Sequence, residues 1–221
     1  MNVAWALLWK DLVSEWRSRD RLVAMVVFSF LVVVVFQFAW PPMESDEMVR
    51  FAPGVLWVTY LFAAVIGLGR TFALELENDA MTALALAPGT RGWLFLGKAA
   101  ATWILITVVQ AMTAFVFALF FRVDLTPAIP GLIAIVALAN VGICSVGTLL
   151  SAMSVRSRFR DVLLPVLLIP TLIPILSSAV LGTTATLAAE GLPFEALQPL
   201  IVIDGVYLIL SFLLFDFVLD E

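Results

Sequence analysis

Histidine is missing from all 221 residues and cysteine occurs once, as Cys144. The first absence removes the commonest zinc and haem ligand and the usual general base. The second excludes a disulfide framework and a CxxC centre within the chain. Charged residues make up only 13 %, against about a quarter in an ordinary soluble domain. No basic run is long enough to build a nucleic-acid groove, and the net charge of −5 says little by itself. There is no GxxxxGK[ST] phosphate loop or other nucleotide signature. If ATP drives this protein, a different chain must hydrolyse it. Glu75, Glu77 and Asp79 have no histidine or nucleophile beside them and fit a solvated helix face better than a metal or hydrolytic centre. No catalytic, cofactor-binding or metal-binding residue is assigned.

What is present is apolar. Hydrophobic residues make up 63 % of the chain and come in long blocks, more than one water-soluble core of this size needs. Continuous blocks lack the alternation of a membrane barrel, and backbone exposed to lipid must be satisfied within a helix or a closed barrel. The reading is an all-α polytopic membrane protein, a single transmembrane domain over 1–221. Its six transmembrane helices are placed at 22–40, 51–69, 99–121, 129–153, 162–181 and 199–219. On that plan Lys10, Arg17, Arg19, Arg21, Arg70, Arg91, Lys98, Arg156, Arg158 and Arg160 fall on one side, leaving Arg50 and Arg122 on the other. The positive-inside rule then puts both chain ends in the cytoplasm.

Three spans carry further detail. The fourth is rich in small residues, among them Gly131, Gly142, Gly147 and Ser151, which fit close helix contact or the lining of a path. The fifth holds Pro165, Pro170 and Pro174, which suit a kinked structural helix or a bent segment beside a conduit. The sixth carries Asp204 and Asp216, both placed near membrane interfaces.

Two cytoplasmic segments are the strongest functional leads. In 2–20, Trp5, Leu8, Trp9, Leu12 and Trp16 recur at helical spacing, with Lys10, Asp11, Ser14 and Arg17 largely on another face. This pattern predicts an interfacial elbow helix, tryptophans at the headgroups and basic residues toward anionic membrane lipids. In 70–98 a second amphipathic pattern places Met81 and Leu84 on an apolar surface, Glu75, Glu77 and Asp79 on a polar one, and a stop at Pro88 before Arg91. Such a helix either transmits motion from a soluble partner or only seats the bundle. The candidate coupling surface is Glu75, Glu77, Asp79, Met81, Leu84, Pro88 and Arg91. The candidate elbow is Trp5, Leu8, Trp9, Leu12, Trp16 and Arg17.

WKDLVSEWRSRD, RFAPGVLWV, LELENDAMTALALAP with the later LGK, and SVRSRFRDVLLPVLLIPTLIPIL follow one another in this order around the six spans. Together they resemble the CcmB family over nearly the whole chain. The resemblance implies a permease like those of type-2 ABC transporters in the bacterial cytoplasmic (inner) membrane, with an N-terminal interfacial helix and a cytoplasmic coupling helix. It also implies a homodimer on two copies of a CcmA-like ATPase, beside CcmC-like and CcmD-like membrane proteins. In that setting ATP sits at the partner ATPase, and ATP-driven motion releases the haem-loaded chaperone CcmE from CcmC. The resemblance also implies that haem is handled by the partners or held transiently by the complex; in this chain Tyr60, Tyr207, Cys144 and the seven methionines form no recognisable axial pair. Two other readings stay open: a type-2 ABC exporter of a lipid or other apolar compound, and a noncatalytic membrane scaffold.

Overall fold

A computed structural model of the chain describes residues 3–40, 45–72, 75, 91–155, 157, 159–188 and 191–218. The described residues form seven α-helices and no strands. They are α1 (Val3–Ser18), α2 (Asp20–Ala39), α3 (Ser45–Gly69), α4 (Arg91–Phe121), α5 (Ile129–Ser154), α6 (Arg160–Leu187) and α7 (Phe194–Val218), with a 3₁₀ turn at Thr126–Ala128 before α5. All but α1 are long and apolar enough to cross a membrane.

Several helices outrun the apolar blocks. The third block was placed at 99–121, yet α4 begins at Arg91, because Leu94 and Phe95 there are buried in the bundle and carry the helix on. Likewise α6 continues to Leu187 and α7 begins at Phe194. The three prolines of α6 lie inside one continuous helix. Between Pro170 and Pro174 the Tyr207 hydroxyl of α7 donates to the Thr171 carbonyl at 2.7 Å, an instance of a neighbouring helix serving the backbone of a proline-bearing span.

Helix α5 sits at the centre, against α3, α4, α6 and α7, and its small residues are where the others come close. A side chain at Gly147 would strike Leu68 of α3, one at Gly131 would strike Thr186 of α6, and one at Gly142 would strike Asp204 of α7 and Ile175 of α6. Ser151 Oγ donates to the Leu68 carbonyl at 2.7 Å. Close contact is thus what the small residues at these positions do.

The bundle interior also carries a neutral polar cluster. Gln110 of α4 and Asn140 of α5 exchange amide hydrogen bonds, Gln110 Nε2 to Asn140 Oδ1 at 3.1 Å and Asn140 Nδ2 to Gln110 Oε1 at 2.6 Å. Asn140 Nδ2 also donates to Thr107 Oγ1, and the Tyr60 hydroxyl of α3 donates to the Gln110 carbonyl. In hydrocarbon such groups have no water to fall back on, so they serve one another. Asp204 departs from the interfacial position expected of it. It lies ten residues into the 25-residue α7, is 4 % exposed, and its carboxyl sits against Gly142 of α5.

Candidate functional site

The site builds up from α1. This helix packs along the start of α4, where Gly97 lacks the side chain that would otherwise collide with α1: a Cβ there would stand 2.7 Å from the Ala4 carbonyl oxygen. Leu7 is buried in the same contact. Leu7, Asp11 and Glu15, four residues apart, therefore form the stripe that faces the bundle. The tryptophans face the other way, with Trp5, Trp9 and Trp16 all exposed, while Leu8 and Leu12 are half-buried and Arg17 is exposed. Asp11 belongs to the buried stripe, not to an outer polar face.

Asp11 turns inward because a cation waits for it. Lys98 of α4 is 2 % exposed, and its Nζ lies 3.0 Å from Asp11 Oδ2 and 2.7 Å from Glu75 Oε1. The same nitrogen donates to the Thr71 carbonyl at 3.1 Å and stands over the Phe72 ring. Lys10 adds a second cation, donating to Glu75 Oε1 and pairing with Asp11 Oδ1. One buried hub thus ties α1, the segment that follows α3, and the first turns of α4. Beneath it Phe72, Phe95 and Phe215 pack ring against ring, bringing in the end of α7.

A second charge contact fixes the joint between α1 and α2. Arg19 takes a left-handed conformation, φ 57°, and offers no side-chain cap to α2. Glu15 supplies it from the preceding helix: its Oε1 accepts from the Leu22 amide at 3.0 Å, while Oε2 pairs with Arg21 at 2.9 Å.

Burial alone would oppose the charge on Glu75, yet the nearby Lys98 cation and the hydrogen bonds from Lys10 and Lys98 outweigh it and hold its carboxyl below the ordinary value. Burial works against the Lys10 ammonium too, but the Glu75 hydrogen bond and the Asp11 and Glu75 charges raise it above its ordinary value. Glu75 and Lys10 therefore meet in the hub as an ion pair.

Glu75, expected on a solvated face of the coupling surface, is instead 3 % exposed at the centre of this hub. Buried opposite charge, absent from any local pattern, draws it in. Arg91 is the first residue of α4. Glu77, Asp79, Met81, Leu84 and Pro88 lie outside the described residues. Sequence reasoning missed Lys98 and Asp11 as partners. The available signal was a lone lysine seven residues into α4, followed by an apolar stretch with no acid of its own. Among the described residues no group of three or more histidines, cysteines or acids could hold a metal ion.

Six apolar helices around a packed centre make this a multi-pass, all-α membrane protein. The profile of the family described as CcmB protein matches residues 2–218, and the chain belongs to that family. Among its relatives is heme exporter protein B of Paracoccus denitrificans, 32 % identical over 171 residues that cover 77 % of this chain and 78 % of the relative. The protein of the same name from Rhodobacter capsulatus is 30 % identical over 201 residues, 91 % of this chain and 89 % of its own. That from Pseudomonas aeruginosa is 28 % identical over 193 residues, 87 % and 84 %.

Proposed function

We propose that this chain is the membrane subunit of a haem-export and cytochrome c maturation complex of the bacterial inner membrane, with both termini cytoplasmic. Two copies sit on two copies of a CcmA-like ATPase, next to CcmC-like and CcmD-like proteins. ATP binding and hydrolysis in the ATPase bias the membrane bundle between two arrangements, and that motion releases the haem-loaded chaperone CcmE. The observation that carries the coupling is the buried hub: Lys98 grips Asp11 of α1 and Glu75 of the 70–98 segment together. A displacement of that segment by an ATPase then moves α1 and the start of α4 with it.

The test compares membranes containing the whole complex with membranes lacking this chain, following chaperone release and ATP hydrolysis. Loss of ATP-dependent release without the chain supports the proposal. Normal release, together with loss of another exported apolar compound, assigns the chain to general export instead.

A further inference from the structure

A groove of about 600 Å³ runs between α2 and α3 at the lysine- and arginine-rich end of the bundle. Val23, Ala24, Val27 and Leu31 of α2 form one wall and Ile66 of α3 the other. Phe28, also in the lining, meets Phe62 of α3 with ring centroids 6.0 Å apart and closes the floor. At the mouth stand Arg70, just past the end of α3, and Asp20, in the first turn of α2. Arg70 is exposed, its amide donates to the Gly67 carbonyl at 3.3 Å, and its guanidinium has no ion pair or hydrogen bond among the described residues. Asp20 lies in the first turn of α2 and follows the exposed Arg19.

The dimensions choose the occupant. From Asp20 to Leu31 the helix rises about 16 Å, close to the depth of one leaflet in a hydrocarbon core about 30 Å thick. An acyl chain fits, and at its end the Arg70 guanidinium, without a partner among the described residues, sits where a lipid phosphate would lie. Basic pockets between membrane helices are known holders of anionic headgroups. We propose that the α2–α3 groove binds one anionic phospholipid, its acyl chain along Val23, Val27 and Leu31 and its phosphate on Arg70. This inference rests on the six-helix membrane reading and is independent of any role in haem handling.

The experiment is native mass spectrometry of the full chain in detergent, offered dioleoyl phosphatidylglycerol or dioleoyl phosphatidylcholine. Wild type retains the anionic lipid about fivefold more than the zwitterionic one, the size of effect one arginine exerts near an anionic headgroup. Arg70→Gln loses that margin, Arg70→Lys keeps it, and Arg122→Gln, at the other end of the bundle, leaves it unchanged. Ala24→Trp fills the groove and lowers retention of both lipids. The proposal is overturned if Arg70→Gln keeps the wild-type margin, or if free glycerol phosphate at the lipid's own concentration abolishes it, which would mark a plain anion site. It is overturned equally if Ala24→Trp leaves lipid retention intact while shifting the oligomeric state, which would give the groove to a second copy. Should Ala24→Trp fail to fold, the arginine variants decide alone.

Discussion

Deep in the bundle Gln110 and Asn140 join α4 to α5 through neutral amides, whereas at its end Lys98, Lys10, Asp11 and Glu75 join α1 to α4 through formal charges. Gln110, Asn140, Lys98 and Glu75 are buried, with Lys10 half exposed at the rim; the amides join consecutive helices, whereas the charges join helices far apart in sequence. The difference lies in what separation would cost. Two amides that satisfy each other carry no ionic desolvation penalty, so they suit hydrocarbon depth and hold two spans in one register. Lys98 and Glu75, buried beside the nearly buried Asp11, hold only while both are in place, since removing one strands the other away from water. A joint of that kind is strong in one arrangement and unfavourable in halfway ones, which suits a part that must move as a unit. The neutral cluster is a rivet, and the charged one is a latch.

Breaking the latch is the most severe test of this contrast. Lys98→Met leaves Asp11 and Glu75 with only the half-exposed Lys10 as a cation and costs at most about 3–5 kcal/mol of local stability. Hydrogen exchange should show α1 deprotected while α5 stays protected; equal loss in both would merge the two clusters into one cooperative unit. Asn140→Leu, which orphans the Gln110 amide, costs about 1–2 kcal/mol, read as a lowered unfolding temperature in nanodiscs with α1 still docked. Tyr60→Phe removes a single donor to the Gln110 carbonyl and costs about 0.6 kcal/mol, measured in the same way.

Proton concentration separates the clusters without mutation. The Glu75 carboxyl is held below 4.5, its ordinary value, so its contribution is fully present above that pH and fades as acid carries the medium through the lowered folded-state value. The Lys10 ammonium is held above its ordinary 10.5, so its contribution is present below that pH and fades as alkali passes the raised value. Between 4.5 and 10.5 the docking of α1, followed as the distance between a spin label on α1 and one on α4, should be flat. It should loosen on either side, while the amide contact between α4 and α5 stays unaffected.

Six spans were legible in the sequence because hydrocarbon demands long apolar blocks, and little else makes them. Helix ends were less so: Leu94 and Phe95 extend α4 backward by burial against neighbours that hydropathy does not see. The tryptophan face of α1 was legible from spacing. The opposite stripe was misjudged, because Asp11 looks like a solvated acid until Lys98, far along the chain, is placed beside it. Glu75 was misplaced for the same reason. Asp204 looked interfacial, yet Gly142 on α5 makes room for it inside the bundle. Each of these differences comes from a partner distant in sequence: apolar burial for the start of α4, charge or close packing for the three acids.

The most direct test of the latch is to measure ATP hydrolysis and release of the haem-loaded chaperone side by side in membranes carrying the complex with Lys98→Met. The account predicts that hydrolysis continues while release falls sharply, with the ATPase turning over against a disconnected bundle. Release at the wild-type rate per ATP hydrolysed would contradict it.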